Sequence, residues 1–408
     1  MRIAFVIGSV DISGGTYVIL QHALAAHAAG HDVTIVAMFP YHDGMLAWHP
    51  ACRLLRLVPL AQVGELPFDI AIATWWKTAL ALPQLRATRH AYFVQSIESW
   101  FYGAEEQPLR ALVEATYGLA LPGITEATWI QAHLRAHHGW EVGLARNGIR
   151  KDLYRPDGPT AAPPLPEGQL RVLVEGPFGV PFKNLGRTLS LVREARPDET
   201  WLLTATDLPW YPGVSRLWSR APIDAVPAIY RACDVIVKLS YVEGMFGPPL
   251  EHFHCGGTAV VYAVTGHEEY IAHDRNALVL ARDDEAGVVA AVRRLRDDPA
   301  LLRRLKAGAR ETAEAWPDWD TASQAFWREL LERVAASPGP TPEDLAEQAR
   351  LAWAAYARDE QARLAAHPDV RVRQRVQAFL DGLPRGLTLP VRMGKYLWAG
   401  RPRPLARA

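Results

Sequence analysis

Short apolar strands alternate with amphipathic helices in two successive runs, separated by a proline-rich break, and few folds satisfy that order. Residues 2–7, 32–37, 70–74 and 90–94 are apolar and of strand length, while residues 16–29 carry a helical pattern that stops at Gly30. Repeated strand–helix units predict a parallel sheet covered by helices on both faces. Beyond the linker at 156–166, residues 171–175, 200–204, 234–239, 258–262 and 276–280 repeat the pattern. The expected fold class is therefore α/β, with two doubly wound Rossmann-like domains, 1–155 and 165–316, facing each other across a cleft between their strand ends.

A helical region follows. Asp318 is placed to cap a helix whose apolar face is Ala322, Phe326, Trp327, Leu330, Leu331 and Val334, so residues 317–335 are expected to close the body of the fold. The run Ser337-Pro-Gly-Pro-Thr-Pro342 then breaks the chain, and 340–408 reads as a helical, basic tail. One tail face carries Leu345, Ala349, Ala352, Trp353 and Tyr356; another carries Val372, Val376, Phe379, Leu380 and Leu383. The tail has an excess of about five positive charges, among them Arg371, Arg373, Arg375, Arg392, Lys395, Arg401 and Arg403. Packing on the body, homodimer formation and peripheral contact with an anionic membrane all fit such a segment.

The 44 basic and 44 acidic residues cancel, which gives no reason to expect a nucleic-acid partner. Cys52, Cys233 and Cys255 lack metal-ligand spacing, and an odd number argues against a disulfide framework. The first residues, Arg2-Ile-Ala-Phe-Val-Ile7, are already strand-like, and no apolar run is long enough to span a bilayer. The expected location is cytoplasmic, with the cytosolic face of the membrane as the alternative the tail leaves open.

Chemistry concentrates at the ends of strands. Glu243-Gly-Met-Phe-Gly-Pro-Pro-Leu-Glu251 lies between a buried strand and a helix, where open α/β sheets bind ligands. Pro248 and Pro249 suit the first turn of that helix but remove two amide donors, leaving those of Gly247 and Leu250 and calling for a cation nearby. The two glutamates alone are equally explained as a helix-dipole carboxylate and a solvated loop acid. Gly14-Gly15, after the first strand, permits close approach to a ligand or makes a tight turn; it lacks the dinucleotide G-x-G-x-x-G spacing. Lys183, after the first strand of the second domain, is either a diphosphate contact or a surface lysine. Lys238, within a buried strand, either snorkels to a rim or supplies the missing cation. Trp75, Trp76, Trp100 and Phe101 sit at or beyond strand ends, as sugar-stacking rings or ordinary core aromatics.

Together these segments resemble retaining glycosyltransferases of family 4, which have the GT-B fold. Glu243 to Glu251 is similar to that family's E-x7-E signature. The stretch Ala145-Arg-Asn147-Gly148-Ile to Pro156 resembles its interdomain P-N-G-V-D…F-x-P segment, and Val264-Thr-Gly266-His-Glu-Glu269-Tyr-Ile its G-G-x-x-E-x-I segment. The likeness extends over about residues 1 to 335. It implies transfer of a sugar from a nucleotide diphosphate donor to a hydroxyl of a carbohydrate or glycoconjugate acceptor, without a metal or other cofactor. Glu251 would then hold the ribose, and Glu243 the donor sugar. Gly14, Gly15 and Lys183 would stabilise the diphosphate, which makes Glu243 and Lys183 the catalytic pair. Lys238, Met245, Phe246, Gly247 and Leu250 would complete the donor site, with Gln95 and Trp100 on the acceptor side.

The chain also departs from the pattern. No arginine stands before Lys183 where the family has one, for which Lys238 is the candidate substitute. Phe246 occupies the place of a family glycine, and Gln95 lies where a histidine often ends the fourth strand. The stretch around Gln95 and the Pro-Pro-Leu-Glu251 ending resemble a subgroup containing bacterial surface-polysaccharide rhamnosyltransferases. Two other activities fit the same architecture: a nucleotide-sugar 2-epimerase, and a non-catalytic sugar-binding protein.

Overall fold

The computed structural model describes residues 1–372, 375, 379 and 385–400. Arg373, Val376, Leu380, Leu383, Arg401 and Arg403 lie outside the described residues. The first sheet has seven parallel strands: β1 (Arg2–Ile7), β2 (Asp32–Ala37), β3 (Arg56–Pro59), β4 (Phe68–Ala73), β5 (Ala87–Val94), β6 (Gly123–Thr125) and β7 (Gly143–Leu144), in the order β3-β2-β1-β4-β5-β6-β7. The second has six: β8 (Arg171–Glu175), β9 (Glu199–Thr204), β10 (Arg216–Ser219), β11 (Val235–Lys238), β12 (Thr258–Tyr262) and β13 (Ala277–Leu280), in the order β10-β9-β8-β11-β12-β13. The interior strands are nearly continuous apolar runs, as expected where helices cover both faces.

In each sheet the strand order reverses once, between β1 and β4 and between β8 and β11. Loops leaving neighbouring strands at such a point go to opposite faces and open a crevice at the carboxyl ends. Gly14-Gly15 follows β1, Lys183 follows β8, Lys238 ends β11 and Glu243 follows it, so the sequence motifs fall on these two switch points.

Helix Trp319–Ala336 begins at an Asp318 cap and returns to the first domain. Trp319, Ala322, Phe326 and Leu330 are buried there, with Phe326 stacked on His22 at 4.0 Å between centroids. Helix Pro342–Ala366 buries Leu345 and Ala349 in the other core of the first domain, with Ala352 and Tyr356 at its margin. Helix Arg385–Ala399 instead lies on the second domain, burying Met393 and stacking Tyr396 on Phe178 at 4.7 Å. The described tail therefore packs on both domains of its own chain. Val372 and Phe379, expected on one face of the tail, are exposed.

Candidate active site

Between the two rows of strand ends lies a cavity of about 650 Å³. Gly14, Gly15, Gln95, Lys183, Lys238, Glu243, Met245, Phe246, Gly247 and Glu251 all line it. Two residues expected in the site do not. Leu250 is fully buried in the second domain's core, and its amide faces the Tyr270 hydroxyl. Trp100 stacks on Trp129 at 5.5 Å and abuts His133, because the short 3₁₀ turn Glu98–Phe101 turns its ring toward the helix Thr128–His138. Of the other expected aromatics, Trp75 and Phe101 border the cavity, whereas Trp76 is buried in the first domain's core.

Lys183 and Glu243 meet because β8 and β11 are adjacent. Asn184 Nδ2 donates to the Leu239 carbonyl (3.1 Å) and the Tyr241 amide donates to the Phe182 carbonyl (2.7 Å), fastening the loop after β8 to the segment leaving β11. Lys183 Nζ then donates to Glu243 Oε2 at 2.7 Å. Thr265 holds Glu243 by both ends of its peptide, accepting from its N–H and donating to its carbonyl. The remaining oxygen, Glu243 Oε1, is buried without a hydrogen-bond partner and lies 4.0 Å from Lys238 Nζ. Burial works against the charge of Glu243, but Lys183 and Lys238 hold its carboxyl below the ordinary range.

Lys238 is buried, and its ammonium bonds Glu175 Oε2 at 2.5 Å and the Glu175 carbonyl at 3.3 Å. It therefore reaches the cavity as a paired cation rather than a lysine snorkelling to a rim. Burial opposes its charge, yet Glu175 and Glu243 raise its affinity for the proton above the ordinary value. Glu251 is pushed up to about 8 by burial and by the nearby Glu175 charge, against a hydrogen bond with Tyr230.

From the first domain, Ser13 caps helix Gly14–Ala28, its hydroxyl accepting from the Thr16 amide at 3.0 Å. Gly14 and Gly15 are the first two residues of that helix, so the expected loop glycines bring helix-terminal amides to the cavity wall. Opposite, helix Gly247–His254 has prolines at its second and third positions and offers mainly the Gly247 amide. Gln95 Nε2 makes a long bond to the Thr74 carbonyl (3.4 Å), leaving its buried Oε1 unpartnered beside Gly15.

Three features were missed in the sequence. Glu126, just beyond β6, is a buried carboxylate that receives Asn147 Nδ2 at 2.8 Å and, from the second domain, the Met245 amide at 3.0 Å. Gly244 makes that approach sterically possible: a Cβ there would stand 2.1 Å from the Gln95 carbonyl oxygen and 2.6 Å from Glu126 Oε1. Arg220 of the second domain pairs with Asp11 of the first at 2.7 Å. The position of Glu126 at a strand end was the available signal, but β6 is only three residues long. Among the described residues no group of three His, Cys, Asp or Glu side chains is arranged to hold a metal, and no helix is long and apolar enough to cross a membrane.

Residues 216–312 match the family described as Glycosyl transferases group 1. The O-antigen biosynthesis protein RfbC of Myxococcus xanthus is 30% identical over 308 residues, which cover 72% of this chain and 23% of that protein. The matched stretches span about a quarter of the length of the curated relatives. Among solved structures, sucrose-phosphate synthase from Thermosynechococcus elongatus superimposes with a TM-score of 0.63 at 17% identity, covering 83% of this chain and 100% of that one. Anabaena Alr3699/HepE, solved with UDP-glucose, gives 0.63 at 13% identity over 83% and 100% of the respective chains. The two facing parallel-sheet domains are those of the GT-B architecture.

Proposed function

We propose that this chain, which carries a glycosyltransferase group 1 domain on a GT-B fold, moves a sugar from a nucleoside diphosphate to an acceptor hydroxyl with retention of configuration. The observation that carries the reading is the paired cation–carboxylate cluster of Lys183, Glu243, Lys238 and Glu175, facing the Gly14-Gly15 helix terminus across the cleft. Such a site offers cations and amides to a diphosphate on one side and buried oxygens to sugar hydroxyls on the other.

In this reading the diphosphate lies by the Gly14 and Gly15 amides and Lys183, the ribose bonds Glu251, and a donor-sugar hydroxyl donates to Glu243 Oε1. Lys238 assists through the Glu243 charge, filling electrostatically the place of the arginine that family members carry. The bond from the anomeric carbon to the phosphate oxygen breaks with its electron pair passing to the phosphate. The acceptor oxygen attacks on the same face, and its proton goes to the departing phosphate. Lys183 and the helix amides stabilise the negative charge that develops there, so the chemistry calls on neither a protein nucleophile nor a metal.

The curated relatives include proteins of O-antigen and lipopolysaccharide core biosynthesis, which supports a carbohydrate or glycoconjugate acceptor in surface-polysaccharide assembly. A cytoplasmic location fits a nucleotide-sugar donor. We assign peripheral membrane contact to helix Arg385–Ala399, where Trp398 is 69% exposed beside Leu397, with Arg392 and Lys395 on the same helix. Flotation with anionic liposomes tests this, and sedimentation separates it from homodimer formation.

Calorimetric titration with uridine, guanosine and thymidine diphosphate sugars tests the donor assignment, and Glu251→Ala should abolish binding. Unchanged affinity in that variant removes Glu251 from the site. Product analysis with and without acceptor distinguishes transfer from epimerisation, and the anomeric configuration of the product tests retention.

A further inference from the structure

Glu126 belongs to the first domain, yet both of its carboxylate oxygens are spent on holding other segments. Oε2 accepts from Asn147, in the segment that leads out of the first domain, and Oε1 accepts from the amide of Met245 in the second. Met245 follows Glu243 by two residues in the turn between β11 and the next helix. The same turn is gripped once more from the first domain, where Trp129 Nε1 donates to the Gly244 carbonyl at 3.0 Å. Glu126 is 5% exposed and lines the cavity, and among the described residues a neutral asparagine and a backbone amide are its only direct hydrogen-bond donors. Facing it across the cleft are the Glu243 carboxylate and, beyond that, the Lys183 ammonium; Arg146 and Glu269 form a separate interdomain pair nearby.

We infer that Glu126 is a positioning residue for the donor sugar: by accepting the Met245 amide across the cleft it fixes the turn that carries Glu243, so that domain closure and placement of Glu243 are one event. The inference rests on the sugar-transfer reading of this cleft. A proton linkage follows from the same geometry. Burial pushes the Glu126 carboxyl up to about 7, with Glu243 adding to the shift against the Asn147 and Met245 bonds. Opening the cleft would return it to water and toward its ordinary value of 4.5. Closure therefore takes up a proton and weakens as pH rises through about 7. Asn147 Oδ1 is buried without a partner, so an amide flip supplies an acceptor for the protonated carboxyl, or for a glutamine amide in its place.

The test compares wild type, Glu126→Ala and Glu126→Gln by calorimetry at about pH 6 and about pH 8. The probes are the tightest-binding nucleotide sugar of the uridine, guanosine and thymidine panel and its parent nucleoside diphosphate. Glu126→Ala should weaken nucleotide-sugar binding at least about tenfold and leave the parent nucleotide within about threefold. Wild type should bind the sugar donor more weakly at the higher pH, and Glu126→Gln should lose that dependence. Equal losses for both probes, or no loss for either, overturn the inference. If Glu126→Ala does not fold, the pH comparison of wild type with Glu126→Gln decides, and identical pH dependence overturns it. If neither probe binds wild type, the sugar-transfer reading fails instead. Small-angle scattering then judges Glu126 without a ligand: a larger radius of gyration in Glu126→Ala supports it, and an unchanged radius overturns it.

Discussion

Lys183 Nζ bonds Glu243 Oε2 at 2.7 Å while the other oxygen of Glu243 has no hydrogen bond, so one carboxylate is half committed to a cation and half open to the cavity. Replacing Lys183 by methionine removes the bonded cation and leaves Lys238, 4.0 Å from Oε1, as the nearest countercharge. Breaking a mostly buried pair from one side costs on the order of 3 kcal/mol, because the surviving charge is stranded. Urea unfolding of Lys183→Met should show a loss of about that size, and Lys183→Met with Glu243→Gln should regain part of it. On the proposed function, transfer should fall by about a hundredfold or more in Lys183→Met, since the cation assigned to the leaving group is gone. A double variant no more stable than the single one would show that the pair is not coupled in this way.

Gly244 tests the closeness of the domains by sterics alone. Alanine would place its methyl carbon 2.1 Å from the Gln95 carbonyl oxygen, a backbone atom unable to rotate away. Gly244→Ala should separate the turn from the first domain and lower turnover with little change in secondary structure. Circular dichroism and donor kinetics check the two halves, and full activity would mean that the domains work without this approach.

The strand–helix alternation was legible because buried parallel strands such as Ile3–Val6 and Val235–Val237 are unbroken apolar runs. The strands that sequence reading missed are β3, β6, β7 and β10. Arg56–Pro59 and Arg216–Ser219 are half-exposed edge strands of mixed character, while Gly123–Thr125 and Gly143–Leu144 are too short to show a period. The same shortness concealed Glu126, which follows β6. Lys183, Lys238 and Glu243 could each be picked out, but their mutual pairing depends on β8 lying beside β11, a relation between strands far apart in the chain. The linking partner, Glu175, occupies the last position of β8, as the expected strand 171–175 has it, but nothing in the sequence ties it to Lys238.

Stability should peak near pH 6.5. Burial pushes Glu98, Glu126 and Glu251 up to about 8, 7 and 8 from an ordinary 4.5. Their contribution is fully present below about 4.5 and is lost as pH rises through 7 to 8. Burial holds His22, His49, His252 and His254 down to about 3 to 4 from an ordinary 6.5, so what they contribute is present above 6.5 and lost as pH falls toward those values. Burial lowers His90 and His133 as well, so between the two ordinary values the histidines outnumber the three carboxylates and stability climbs with pH, whereas above 6.5 the carboxylates act alone. Calorimetric melting should therefore show a rise in melting temperature up to about pH 6.5 and a loss from there through about pH 8. A melting temperature that keeps rising above neutrality would contradict this balance.

Tyr396 links the C-terminal helix to the loop that carries Lys183. Its ring stacks on Phe178, which lies in the loop between β8 and Lys183, at 4.7 Å and 29°. The Gly400 carbonyl accepts from Arg187 on the helix that this loop enters, and Ala399 packs so closely on Gly186 that a Cβ there would be 3.1 to 3.2 Å away. An aromatic pair contributes about 0.5–1.5 kcal/mol beyond the area it buries, small against the stability of the whole chain but large for one loop. Tyr396→Ala should consequently leave the global unfolding midpoint almost unchanged while raising the Michaelis constant for the donor several-fold, about fivefold if roughly 1 kcal/mol of loop order is lost. Tyr396→Phe keeps the ring and should behave as wild type. Equal kinetics in all three proteins would leave the C-terminal helix without influence on Lys183, whereas a parallel fall in midpoint and activity would make its role one of general stability.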